Sequence, residues 1–192
     1  PITRVPSLVT QWSKLKRPLS DADGSRALYL IALGFSKKFL IADYLGEQLV
    51  NRVFDTPALY SGVEVLLGVY GYAFQLYYDF SGYSDIAIGS ALLLGFKLQA
   101  NFNRPYEAVS VADFWRKWHI SLSTWLRDYL YFSLPGARGK AMPYVNLMLT
   151  MMLGGLWHGL SWTFLAWGTW HGLGLVAARR WSGQGSWPRA VS

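Results

Sequence analysis

The chain has no cysteine, which removes disulfide frameworks, thiolate nucleophiles and thiolate-bound metals at once. Charge is scarce too. Only 15% of the 192 residues are Asp, Glu, Lys or Arg, against roughly a quarter in an average soluble domain. None of the three histidines has another three or four positions away, so no protein-built zinc site is expected. No linker or low-complexity stretch divides the chain, which is read as one domain.

Apolar residues make up 52% of the sequence and aromatics 17%, a composition that excludes a disordered chain. From Ala141 to Ala178 there are 38 residues without an acid, lysine or arginine, and they include Trp157, Trp162, Trp167 and Trp170. A bilayer-spanning helix needs ~20 such residues, so this run has the length of two spans joined by a tight turn near His158. The alternative is one long helix, or a broken one whose Gly-rich bend lies inside the protein. A second run, Thr56 to Tyr78, carries only Glu64, and a third, Ile86 to Phe96, is short. The fourth, Ala27 to Phe54, is interrupted by Lys37, Lys38, Asp43, Glu47 and Arg52.

The net charge of +7 is spread over small clusters: Lys14, Lys16 and Arg17; Arg116 and Lys117; Arg138 and Lys140; Arg179 and Arg180. Such placement fits short loops and membrane surfaces, and with no nucleic-acid motif present no nucleic-acid partner is expected. The fold class expected is all-α, a polytopic transmembrane helical bundle. Within it, residues 1–25 form a basic loop, 26–106 membrane segments and a loop, 110–134 an interfacial amphipathic helix, and 141–178 the transmembrane run. The first twenty residues lack a signal-peptide core, and the chain is read as an internal portion of a longer membrane protein.

Five groups of residues stand out. Asp79 and Asp85 lie in Tyr77-Tyr78-Asp79-Phe80-Ser81-Gly82-Tyr83-Ser84-Asp85. There they either serve a polar site at membrane depth or cap a helix starting near Ile86. Asn101, Asn103 and Arg104 lie in an Asn-Phe-Asn-Arg-Pro-Tyr loop, where Pro105 predicts an extended or turn conformation at Arg104. Their side chains either tie the loop down or meet a substrate.

Ser110 to Asp113 is a capping-box-like start to a run without Gly or Pro that lasts to Leu134. Helical periodicity puts Phe114, Trp115, Trp118, Leu122, Trp125, Leu126 and Tyr129 on one face, backed by basic residues as in an interfacial helix. His119 sits at the border of the two faces, as a hydrogen-bonded bystander or a site residue.

His158 lies among Gly154, Gly155 and Gly159. A ring buried at membrane depth would be neutral and able to accept a proton as a general base; an interhelical hydrogen bond is the plainer role. His171, in the repeated Trp-His-Gly triplet, falls about 140° away on a straight helix and is assigned a structural role.

Together, the Tyr77–Asp85 stretch, the Asn101–Tyr106 loop, the Phe114–Leu130 helix and Gly154-Gly155-Leu156-Trp157-His158-Gly159 closely resemble the membrane-bound O-acyltransferase family. The likeness is nearest to its bacterial alginate O-acetylation branch and covers roughly residues 26–178. One departure is visible: Phe132-Ser133-Leu134-Pro135-Gly136-Ala137 stands where relatives commonly have an Ile-Pro-Leu-Gly-Gly-Asn turn.

The resemblance implies a helical bundle around a tunnel, with His158 as the catalytic His and His119 as its upstream partner, and it favours the bent helix over two full spans. It also implies acyl transfer, most simply of acetyl, from a cytoplasmic thioester-like donor to a hydroxyl of an exported polysaccharide such as alginate. The donor is a co-substrate, and no bound cofactor is expected. The lipid bilayer and periplasmic or carrier proteins are the expected partners, in the bacterial inner membrane. With no cysteine and no Gly-x-Ser-x-Gly elbow, direct transfer is expected rather than a covalent acyl-enzyme. Asn101, Asn103, Arg104, Asp79 and Asp85 are the substrate-binding candidates. D-alanyl transfer to teichoic acid and a non-enzymatic transport role are the alternatives.

Overall fold

The computed structural model describes residues 1–13, 15, 19–136 and 142–182. The basic clusters at Lys14, Lys16 and Arg17 and at Arg138 and Lys140 lie outside the described residues. The described chain is helical, with no strand among those residues, as the sequence implies. Although no linker is legible, it gathers into two compact units, Thr3–Ala100 with Pro1 and Asn101–Ser192 with Ile2.

The first unit opens with α1 (Val5–Trp12), inside the stretch expected to be loop. Pro6 falls in its first turn, where a missing N–H costs nothing, so the proline marks a helix start rather than a break. Helix α2 (Asp21–Phe35) is capped by the Ser20 hydroxyl, which accepts from the Asp23 N–H. It continues through π-helical turns at Ser36–Ala42 and Gly46–Val50, with α3 (Asp43–Leu45) between them and α4 (Asn51–Asp55) after them. The rod stops at Thr56-Pro57, where a proline cannot continue the helix.

Helix α5 (Gly62–Leu93) starts with a complete Ser61/Glu64 capping box. It then runs unbroken through Ser84 and Asp85, so no helix begins at Ile86 and neither aspartate is a cap. It ends where Gly95 takes φ +85. There the Gly95 N–H donates to the Leu92 carbonyl and the Phe96 N–H to that of Ala91, a Schellman closure that needs a residue at ease with positive φ. Helices α2 and α5 meet through small residues: a Cβ on Gly34 would lie 2.5 Å from the Gly82 carbonyl oxygen.

In the second unit, α6 (Val111–Lys117) and α7 (Ile120–Trp125) replace the single helix expected over 110–134. A π turn at Leu126–Leu130 and a 3-10 turn at Tyr131–Ser133 come after them. Helices α8 (Met142–His158) and α9 (Trp162–Ser182) form an antiparallel hairpin. This is the arrangement with a turn at His158, not the bent single helix that the resemblance favours. Gly155 faces Phe164 and Gly168, and Gly168 faces Met151, at separations a Cβ would not fit. Trp115, Tyr131, Leu147, Met151 and Leu175 form the core of this unit.

Among the described residues no helix is long and apolar enough to cross a membrane. Length and apolarity do not coincide in one element: α8 has 17 residues, against ~20 for a span. The longer α5 carries Glu64, Asp79 and Asp85, and α9 is diluted by Gly, Thr, His and two arginines.

Candidate active site

His158 is the last residue of α8. Its Nδ1 lies 2.8 Å from the Gly154 carbonyl oxygen, one turn back. A carbonyl only accepts, so the neutral ring carries its proton on Nδ1 and leaves the Nε2 lone pair open, the state a general base requires. The bond is made within its own helix, not between helices. The residue is also exposed, so burial, the condition for the expected desolvated ring, is not met in this chain. Its neighbours are aromatic: Trp157 at 5.1 Å, Trp167 at 5.2 Å and Phe164 at 6.0 Å between ring centroids.

His119 packs against the same tryptophan, with ring centroids 6.4 Å apart. It is 7% exposed. Burial, then the charge of His158, pushes its pKa down to about 4, so its ring is neutral near pH 7. Its backbone is left-handed, φ 41 and ψ 54, and it stands as the N-cap of α7. Trp118 before it is extended. The break reorients the residues beyond it: Trp125 and Tyr129 of the expected apolar face are exposed, while Ser121 and Ser123 are buried.

Arg104 is the other non-glycine residue with positive φ among those described. It takes the left-handed turn and leads into the 3-10 turn Pro105–Glu107. Its guanidinium is exposed, 3.6 Å from Glu107. Asn103 is exposed, whereas Asn101 is 1% exposed. The Asn101 Oδ1 accepts from the Ser121 hydroxyl at 2.6 Å. The fold thus brings His119 and His158 to one tryptophan and sets Asn101 into the same unit's interior.

Asp79 and Asp85 belong to the first unit. Asp85 pairs with Lys37 at 2.5 Å, and Lys37 also donates to the Ser81 hydroxyl. Asp79 shares Lys38 with Asp43, each oxygen 2.7 Å away. Sequence reasoning missed these lysines as partners. The signal was available, because charges inside an apolar run are costly unless they pair, and Lys37 and Lys38 interrupt such a run.

His171 packs among Trp167, Trp115 and Phe114 and lines an apolar groove of about 740 Å³ with Tyr106, Trp170 and Gly174. Neither His119 nor His158 lines that groove. A smaller apolar cavity of about 240 Å³ reaches Trp157 between Leu122, Leu126 and Leu153. Among the described residues no group of three His, Asp or Glu is placed to hold a metal ion.

With this geometry in view, comparison with known proteins is decisive for the family. Residues 10–185 match the membrane-bound O-acyltransferase family. The chain belongs to that family. It is 49% identical over 167 residues to the probable alginate O-acetylase AlgI of Azotobacter vinelandii, covering 86% of this chain and 32% of that protein. It is 44% identical over 156 residues to the peptidoglycan O-acetyltransferase of Helicobacter pylori, covering 81% and 29%. It is 36% identical over 167 residues to the teichoic acid D-alanyltransferase of Streptococcus thermophilus, covering 81% and 40%. The chain spans about a third of the length of these curated relatives.

Proposed function

We propose that this chain carries the catalytic histidine of a multi-pass bacterial inner-membrane O-acyltransferase that acetylates a hydroxyl of an exported polysaccharide such as alginate. The observation that carries this is the His158 imidazole, oriented by the Gly154 carbonyl with Nε2 open and sharing Trp157 as a ring neighbour with His119. The acceptor hydroxyl attacks the carbonyl carbon of a thioester donor while His158 Nε2 takes its proton. The carbon–sulfur bond then breaks, and the thiolate leaves and is protonated. His119, neutral, orients the acceptor or donor, or steadies the developing charge. The cavity beside Trp157 shelters a short acyl group.

The greater identity to an alginate O-acetylase than to a D-alanyltransferase supports acetyl over D-alanyl. The exposed apolar side chains of α5, α8 and α9 support a bundle completed by lipid and further helices. Periplasmic or carrier proteins of the acetylation machinery are its proposed partners. Asn103 and Arg104, exposed near the site's own loop, are the substrate-contact candidates. Asp79 and Asp85, already paired with lysines, serve the packing of the first unit.

The test replaces His158 by Ala in the full-length protein and measures the exported polymer by mass spectrometry. Loss of acetyl ester at an unchanged protein level is expected. Normal acetylation would overturn the assignment, and a D-alanyl ester on the wild-type product would replace acetyl with the other acyl group.

A further inference from the structure

The break between α6 and α7 has no cause in its own sequence, since residues 111–134 contain no Gly and no Pro. A run of that composition ordinarily closes into one helix. Breaking it orphans backbone groups on both sides, and orphans need partners. Here the partners of Lys117 and Ile120 come from one loop, while the Trp118 carbonyl accepts from the Ser123 hydroxyl at 3.1 Å. The Asn103 N–H donates to the Lys117 carbonyl at 2.9 Å, and the Ile120 N–H donates to the Asn101 carbonyl at 2.8 Å. The Ser121 hydroxyl donates to Asn101 Oδ1 at 2.6 Å and accepts from the Ile2 N–H at 2.9 Å.

From these bonds we infer that Asn101, Asn103 and Ser121 form a splint that holds His119 left-handed at the apex of the break, beside Trp157 and His158. They are positioning residues for the transfer proposed above, and the inference rests on that reading. Asn101 and Ser121 are each 1% exposed, so the splint is built from the inside of the unit, and its amide and hydroxyl do not meet substrate. Without it, Lys117 and Ile120 would recover their partners by continuing the helix. His119 would then return to the helix border, away from its buried position against Trp157.

An Asn suits the central position for a physical reason. Its amide oxygen accepts the Ser121 proton without placing a carboxylate charge where water is excluded. A left-handed backbone at a non-glycine residue is itself a stored strain that only surrounding bonds maintain, and four such bonds converge here.

The experiment uses the full-length protein in detergent with a synthetic acetyl thioester donor, comparing wild type, Asn101→Ala, Ser121→Ala and Ser121→Thr. Two readouts are taken: kcat and KM, and the rate at which diethyl pyrocarbonate modifies each histidine, monitored by mass spectrometry. In the wild type His158 reacts and His119 is protected. In Asn101→Ala and Ser121→Ala, His119 becomes reactive and kcat falls by up to about 100-fold, the usual scale for an ångström of misplacement, with donor KM little changed. Ser121→Thr, which keeps the hydroxyl, restores protection and rate.

Protection of His119 in both alanine variants overturns the splint, whatever the rate does. So does a kcat that falls only in step with the amount of folded protein, which the reactivity of His171 reports. If Asn101→Ala does not accumulate, Ser121→Ala and its threonine rescue decide the matter. The histidine-reactivity readout does not depend on turnover. A wild-type rate in His158→Ala would therefore sink the proposed chemistry while leaving the splint separately testable.

Discussion

At the scale of single residues, the two candidate histidines are prepared in opposite ways. His158 is exposed and oriented by one carbonyl, whereas His119 is buried and depressed to about 4. A histidine whose folded pKa lies below its unfolded value, ~6.5, contributes stability that is fully present above that value. The contribution is lost as pH falls through the interval down to the folded pKa. Thermal unfolding of the full-length protein should therefore be flat above pH ~6.5 and fall progressively towards pH 4. His119→Asn keeps a residue that tolerates the left-handed backbone and removes the titrating group, so its acid slope should be shallower. An unchanged slope in that variant would refute the burial of His119. The residue types at both positions are legible in sequence; their exposures are not. Burial depends on which chains lie over a side chain, and His158 ends its helix at a turn instead of lying inside one.

Elements were legible where their signals are local. Ser110 with Asp113 marks the start of α6, whereas the Ser61/Glu64 capping box that starts α5 was passed over. The continuity of α5 and the break of the next helix were not legible, because each is decided by bonds to distant residues: Lys37 answering Asp85 in one case, the Asn101 loop in the other. The α8/α9 hairpin gives a test at this scale. A methyl on Gly155 would meet the Phe164 carbonyl and the Gly168 backbone, neither of which yields like a flexible side chain. Gly155→Ala should cost about 1–3 kcal/mol, the usual range for overpacking. Gly62→Ala, which meets nothing within 4 Å, should cost nothing and gain up to about 1 kcal/mol of helix propensity. Comparing the melting temperatures of the two variants checks both, and equal effects would mean the hairpin does not close at Gly155.

Across the whole molecule, the apolar residues outnumber the places the chain has to bury them. Leu160, Trp162 and Trp181 are 93%, 84% and 92% exposed, and large exposed apolar surfaces mark contact with lipid or protein. The full-length protein is accordingly expected to stay with the membrane through an alkaline carbonate wash and to be released by detergent. Release by carbonate alone would contradict the proposed bundle. The family match covers residues 10–185, and the chain spans about a third of the length of the curated relatives it matches.

By itself the sequence determined the all-helical class and the family, and it singled out His119 and His158 as site candidates. Composition excludes a disordered chain, helical periodicity and long apolar runs point to helices, and ordered motifs persist whatever packs around them. Only the tertiary structure decided that a turn, not a bend, comes after His158, that Asp79 and Asp85 are held by lysines, and that His119 stands at a break. Each of these depends on hydrogen bonds or ion pairs between residues far apart in sequence. Periodicity and local propensity report what one segment prefers alone, and these partners override it.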